Sequence, residues 1–139
     1  MSTTLAESER GAPLRAGLWT AQIALAMMFG LAGWMKSTLP IPELSSKMAW
    51  VSAVPGPLVR FIGAAELAAA AGLLLPALTR ILPALTPIAG AGLTVLMVLA
   101  GAFHLSRGEV AVVPMNVVLG ALAAFVAWGR FGKARIAPR

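Results

Sequence analysis

The chain has 139 residues, of which 59% are apolar and 12% charged, with a mean hydropathy of +0.86. Soluble domains carry about 25% charged residues, so this composition argues against a soluble domain and for a polytopic membrane protein. The formal charge of +6 does not indicate a nucleic-acid partner, because Arg and Lys flank apolar runs instead of alternating with stacking aromatics; the absence of cysteine excludes disulfides, thiol redox chemistry, cysteine-ligated zinc and iron–sulfur clusters within the chain.

Residues 1–15, MSTTLAESERGAPLR, are polar and predict a short frayed tail. The first apolar run, about Ala16 to Met35, exceeds the roughly 7–15 residues of a signal-peptide core, so it reads as an anchoring helix that ends at Lys36. Next comes STLPIPELSSKMAWVSAVPGP. Between Pro42 and Val54, Leu44, Met48 and Val51 recur at i, i+4 and i+7. That stripe predicts a short amphipathic helix at the membrane surface, with Trp50 at headgroup level, against the competing reading of an irregular loop.

The second run spans about Leu58 to Thr79 and ends at Arg80, with Pro76 expected to kink or end it. A third runs from about Thr86 to Leu105, with Pro87 suited to the first helical position. After the turn SRGE, a fourth covers about Val110 to Trp128, with Pro114 near its start. The transmembrane domain is therefore expected over residues 16–130, followed by a basic tail at 131–139.

Runs of about 20 residues match a ~30 Å hydrocarbon core. Four such helices with short second and third connections predict an all-α, up-down-up-down antiparallel bundle. Arg10, Arg15, Arg80, Arg130, Lys133, Arg135 and Arg139 fall on one side, and Lys36, Lys47, Arg60 and Arg107 on the other. The positive-inside rule then puts both termini in the cytoplasm.

Lys36, Arg60, Glu66, His104 and Asn116 fall toward the external side in this topology. Glu66 is about two turns into its helix, roughly 10–12 Å below the boundary. Small residues share their helical faces: Ala32 and Gly33 with Lys36, Gly63 and Ala70 with Glu66, Ala100 and Gly101 with His104, Gly120 and Ala124 with Asn116. Such faces pack helix against helix. Gln22 extends the polar face of the first helix.

A lone carboxylate in hydrocarbon costs at least about 2.5–3.5 kcal/mol, so Glu66 must be paired or carry a proton. Lys36 and His104, across helices, suit it better than Arg60, six positions away on its own helix. The bland alternatives are a structural Lys36–Glu66 ion pair, snorkelling by Lys36 and Arg60, and simple hydrogen bonding by His104 and Asn116. A single histidine excludes bis-histidine haem ligation by one chain, and no metal cluster, P-loop or dinucleotide fingerprint is present.

The segments FGLAGWMKS, FIGAAELAAAAGLLLP, AGAFHLSRGE and VVPMNVVLGALAAFVAWGRF, in that order, resemble the DoxX-like family of small four-helix bacterial membrane proteins over about residues 16–131. By that resemblance Lys36, Glu66, His104 and Asn116 fall on the family's recurrent polar positions. The resemblance implies association with thiosulfate:quinone oxidoreductases or oxidative-stress and thiol-redox complexes, although this chain has no thiol to carry sulfur.

Three functions follow as expectations. One is a quinone- or redox-associated membrane subunit, with a quinone bound at the polar layer and no covalent cofactor. The second is a non-catalytic assembly or accessory subunit, partnered by a redox or other membrane protein or by a second copy. A small-molecule transporter comes last, since no inverted repeat is visible.

Overall fold

The protein is described from a computed structural model, which covers the backbone of residues 2–139 and the side chains of residues 7–139. All regular structure among the described residues is helical: α1 (Ser2–Thr38), α2 (Ile41–Lys47), a 3-10 turn (Ala49–Ala53), α3 (Gly56–Thr79), α4 (Leu85–Ser106) and α5 (Val113–Phe131). Helices α1, α3, α4 and α5 are long and apolar enough to cross a membrane. With lipid as solvent the bundle is apolar outside as well as inside. Met27, Leu31, Phe61, Leu78, Val98 and Leu99 are each more than 60% exposed, a surface that water would not tolerate and a bilayer covers.

Helix α1 differs from its expected bounds. It begins at Ser2 and continues through the stretch read as a frayed tail, with Pro13 inside it. Leu, Ala, Glu and Arg dominate residues 5–15, and these favour helix enough to carry it past one proline. At about 1.5 Å per residue α1 is roughly 55 Å long, well beyond a hydrocarbon core.

The amphipathic segment also differs. Its apolar stripe is real, since Leu44 and Val51 are fully buried and Met48 packs beside them against Val59. It is nevertheless not one helix. The backbone extends at Met48 (φ −134°, ψ 91°), separating α2 from the 3-10 turn. This break folds the segment over the end of the bundle and turns Trp50 inward.

Pro76 does not end α3; the helix runs to Thr79 and stops at Arg80, whose left-handed conformation (φ 60°) lets its N–H reach the Pro76 carbonyl. The Arg80 guanidinium donates to the carbonyls of Ala137 and Pro138, tying the basic tail to the α3–α4 loop. Pro87 and Pro114 both sit in first turns, where no intrahelical N–H is needed.

Packing is strongest between α1 and α3 and between α4 and α5, and weaker between α3 and α4. Glycine sets the first crossing. A Cβ on Gly33 would stand 2.8 Å from the Gly63 carbonyl oxygen and 2.9 Å from the Leu67 nitrogen. A Cβ on Gly63 would stand 2.8 Å from the Lys36 Cβ. Backbones this close gain dispersion contacts in place of a hydrophobic driving force that lipid does not supply. The central core is Leu25, Phe29, Leu73, Leu93, Met97 and Val126.

Candidate functional site: a polar-ended cavity between the helices

The Gly33–Gly63 crossing decides what happens to Glu66. One turn beyond Gly33, Lys36 leaves α1 toward α3; Glu66 leaves α3 one turn beyond Gly63. Lys36 Nζ donates to both carboxylate oxygens of Glu66 at 2.7 Å. The side chains are 8% and 4% exposed. This two-oxygen geometry offsets part of the cost of taking both charges out of water.

The pair borders a cavity of about 410 Å³ between α1, α3, α4 and α5, with Trp50 of the 3-10 turn in its lining. Lys36, Glu66, His104 and Asn116 all line it; Arg60 does not. The remaining walls are apolar and aromatic, including Trp50, Phe61, Met97 and Phe103. Trp50 meets Phe103 edge to face at 6.5 Å and lies 5.8 Å from Lys36 Nζ. Both contacts help hold the ammonium in place.

His104 reaches the cavity without touching Glu66. Its Nδ1 lies 2.6 Å from Oε2 of Glu109, in the turn after α4, and Oε1 of Glu109 accepts from Arg107 Nε at 2.9 Å. Hydrogen bonds from His104 first and Arg107 second hold the Glu109 carboxyl below its ordinary value. Asn116 packs over Gly101, where even an added Cβ would stand at ordinary contact distance, 3.8 Å. Its Nδ2 is buried and has no partner among the described residues.

Arg60 has a different task. Its guanidinium donates to the carbonyls of Lys36 (2.6 Å) and Leu39 (2.7 Å), satisfying groups that the C-terminus of α1 leaves open. It supports the backbone from which Lys36 projects. Among the described residues Glu66 pairs with Lys36, and the Arg60 guanidinium is spent on these carbonyls.

A shallower groove of about 460 Å³ follows the loose α3–α4 seam and shares Leu96 and Leu99 with the cavity. Its floor is small: Ala65, Ala68, Ala69, Gly72, Ala89 and Gly92. The cavity thus adjoins an apolar groove through Leu96 and Leu99, away from its polar residues.

Sequence reasoning missed Glu109 and Trp50 as site residues. An acid five positions after the lone histidine, in a turn short enough to fold back, was the available signal for Glu109. It also placed Arg130 among the flanking basic residues. In the structure Arg130 is buried at the opposite end of the bundle, donating from Nε to Gln22 Oε1 at 2.7 Å and stacking over Trp19. Gln22 in turn donates to the Leu73 carbonyl at 2.6 Å. The polar face of α1 therefore serves two separate layers, with Phe29 and its neighbours between them.

No curated protein and no solved structure matches the chain significantly. The family model described as the DoxX-like family matches residues 20–126, a span that includes Lys36, Glu66, His104 and most of every long helix, and the chain accordingly belongs to the DoxX-like family.

Proposed function

We propose that this integral membrane protein is a quinone- or redox-associated subunit that holds the ring of a lipid-borne quinone in the cavity. The observation that carries this reading is an apolar cavity whose polar end contains an unsatisfied amide, Asn116 Nδ2. A buried donor without a partner costs about 1–3 kcal/mol, and a ligand carbonyl would relieve that cost. The volume of about 410 Å³ is within the range of small-molecule sites, about 300–1,000 Å³.

The residues fit the group. Phe61, Phe103 and Met97 offer apolar and aromatic walls to a planar ring. Asn116 and His104 offer polar atoms to its two oxygens, and the α3–α4 groove offers an apolar track to its tail. A bound quinone would supply two-electron, two-proton exchange between carbonyl and hydroxyl forms. The chain's own contribution is to orient the ring, keep water out and present hydrogen-bonding atoms. Electrons would come from a partner subunit, since the chain has no cysteine. The Lys and Arg distribution supports an inner-membrane orientation with both termini cytoplasmic and the cavity toward the external leaflet.

One observation favours the accessory-subunit reading instead. Lys36 and Glu66 bond each other through two of the three ammonium N–H groups and join α1 to α3 without a ligand. Purification in native-lipid nanodiscs separates the two. Co-purifying quinone, together with a thermal shift on adding decyl-ubiquinone that Asn116→Leu abolishes, supports the quinone reading. Absence of both refutes it, and a stable protein partner without quinone then supports the accessory role.

A further inference from the structure

Glu109 lies between α4 and α5, outside the membrane-spanning segments. With His104 Nδ1 on one carboxylate oxygen and Arg107 Nε on the other, it is held ionised, and an ionised carboxylate can only accept. The proton in the 2.6 Å contact therefore belongs to Nδ1. A neutral His104 in this pair has its lone pair at Nε2.

Nε2 has no hydrogen-bond partner among the described residues, and the ring that carries it lines the cavity. The groups around it leave it free. Phe103 meets the imidazole edge to face at 5.7 Å, and the Arg107 guanidinium lies over the Phe103 ring. On the other cavity walls, Lys36 Nζ is committed to Glu66, and Asn116 carries the unpartnered amide nitrogen.

We propose that Glu109 is a positioning residue that fixes the Nδ1–H tautomer of His104, so that Nε2 accepts a hydrogen bond from a ring hydroxyl of the cavity's ligand. The cavity then pairs an acceptor, His104 Nε2, with a donor, Asn116 Nδ2. That combination selects a dihydroxy-aromatic ring, the reduced form of a quinone, whenever the imidazole is neutral. Protonation of the ring turns Nε2 into a donor and favours the carbonyl form. This inference rests on the quinone reading and adds which redox form the site prefers and which residue sets that preference.

The chain has one histidine, so histidine-specific 15N labelling reports on His104 alone. In nanodiscs the neutral ring is expected as the Nδ1–H tautomer. Glu109→Leu is expected to shift it toward Nε2–H, the form free histidine favours, and Glu109→Asp to restore Nδ1–H. Decyl-ubiquinol should perturb the Nε2 signal, and Glu109→Leu should weaken its binding by about 2- to 12-fold, the equivalent of one hydrogen bond. Affinity for decyl-ubiquinone at the same pH should change less.

An Nε2–H tautomer in the native protein overturns the proposal, as does a tautomer unchanged by Glu109→Leu. Binding of both ligands, followed by tryptophan fluorescence, without disturbance of Nε2 overturns this inference and leaves the quinone reading standing. Failure of the native protein to bind either ligand overturns both.

Discussion

Replacing Glu66 by Gln removes one charge and almost no volume from the α1–α3 crossing. Lys36 would remain 6% exposed with its ammonium facing an amide that can accept only one of its two present bonds. Breaking a buried ion pair by removing one partner costs about 3–5 kcal/mol, because the survivor is left uncompensated. Both side chains are more than nine-tenths buried, so solvent screening does not reduce that figure much. Replacing both residues (Lys36→Met with Glu66→Gln) removes the stranded charge, and about 2 kcal/mol or more of the loss should return as a coupling energy. Reversible unfolding in mixed micelles, followed by tryptophan fluorescence, measures all four corners of the cycle. A Glu66→Gln loss below about 1 kcal/mol, or a double variant whose loss equals the sum of the singles, refutes the view that this pair locks the crossing.

Gly33→Ala should destabilise by about 1–3 kcal/mol, since its Cβ meets backbone at 2.8 Å and the helices must part; Gly92→Ala, whose Cβ meets nothing within 4 Å, should be neutral or stabilising by up to about 1 kcal/mol in the same assay. Glu109 titrates below its ordinary value of 4.5, with the His104 hydrogen bond as the largest cause. Its contribution is therefore fully present above pH 4.5 and lost as pH falls through the lower folded value. Thermal unfolding between pH 3 and pH 6 should show that acid limb in the native protein, and Glu109→Leu should flatten it. Gln22→Leu strands the Nε of Arg130 and should cost about 1–3 kcal/mol in equilibrium unfolding, while leaving quinone-dependent thermal shifts unchanged because the cavity lies at the other end of the bundle.

Much of this architecture is legible in one dimension because the bilayer imposes it. Lipid satisfies no backbone groups, so every crossing segment must be helical, and runs such as Leu58–Thr79 and Thr86–Leu105 reveal their class by length and composition alone. Glu66 is legible for the same reason: a carboxylate in hydrocarbon must find a cation or take up a proton, and small residues beside Lys36 and Glu66 mark faces that meet. The extent of α1 was less visible, because a polar stretch with good helix formers reads equally as a tail when nothing shows that the helix below it continues.

The sequence by itself determined that four helices cross, which polar residues they carry at one level, and that Glu66 needs a cross-helix partner. Its choice of Lys36 over His104 was decided by the approach of Gly33 to Gly63 within contact distance, which only the packed bundle defines. Likewise His104 turns to Glu109 because the turn after α4 folds an acid back within 2.6 Å, and Trp50 enters the cavity because the chain breaks at Met48. Hydropathy depends on each residue's own transfer energy and can be read locally. Pairing depends on distances between segments far apart in sequence, and those exist only once the helices have packed.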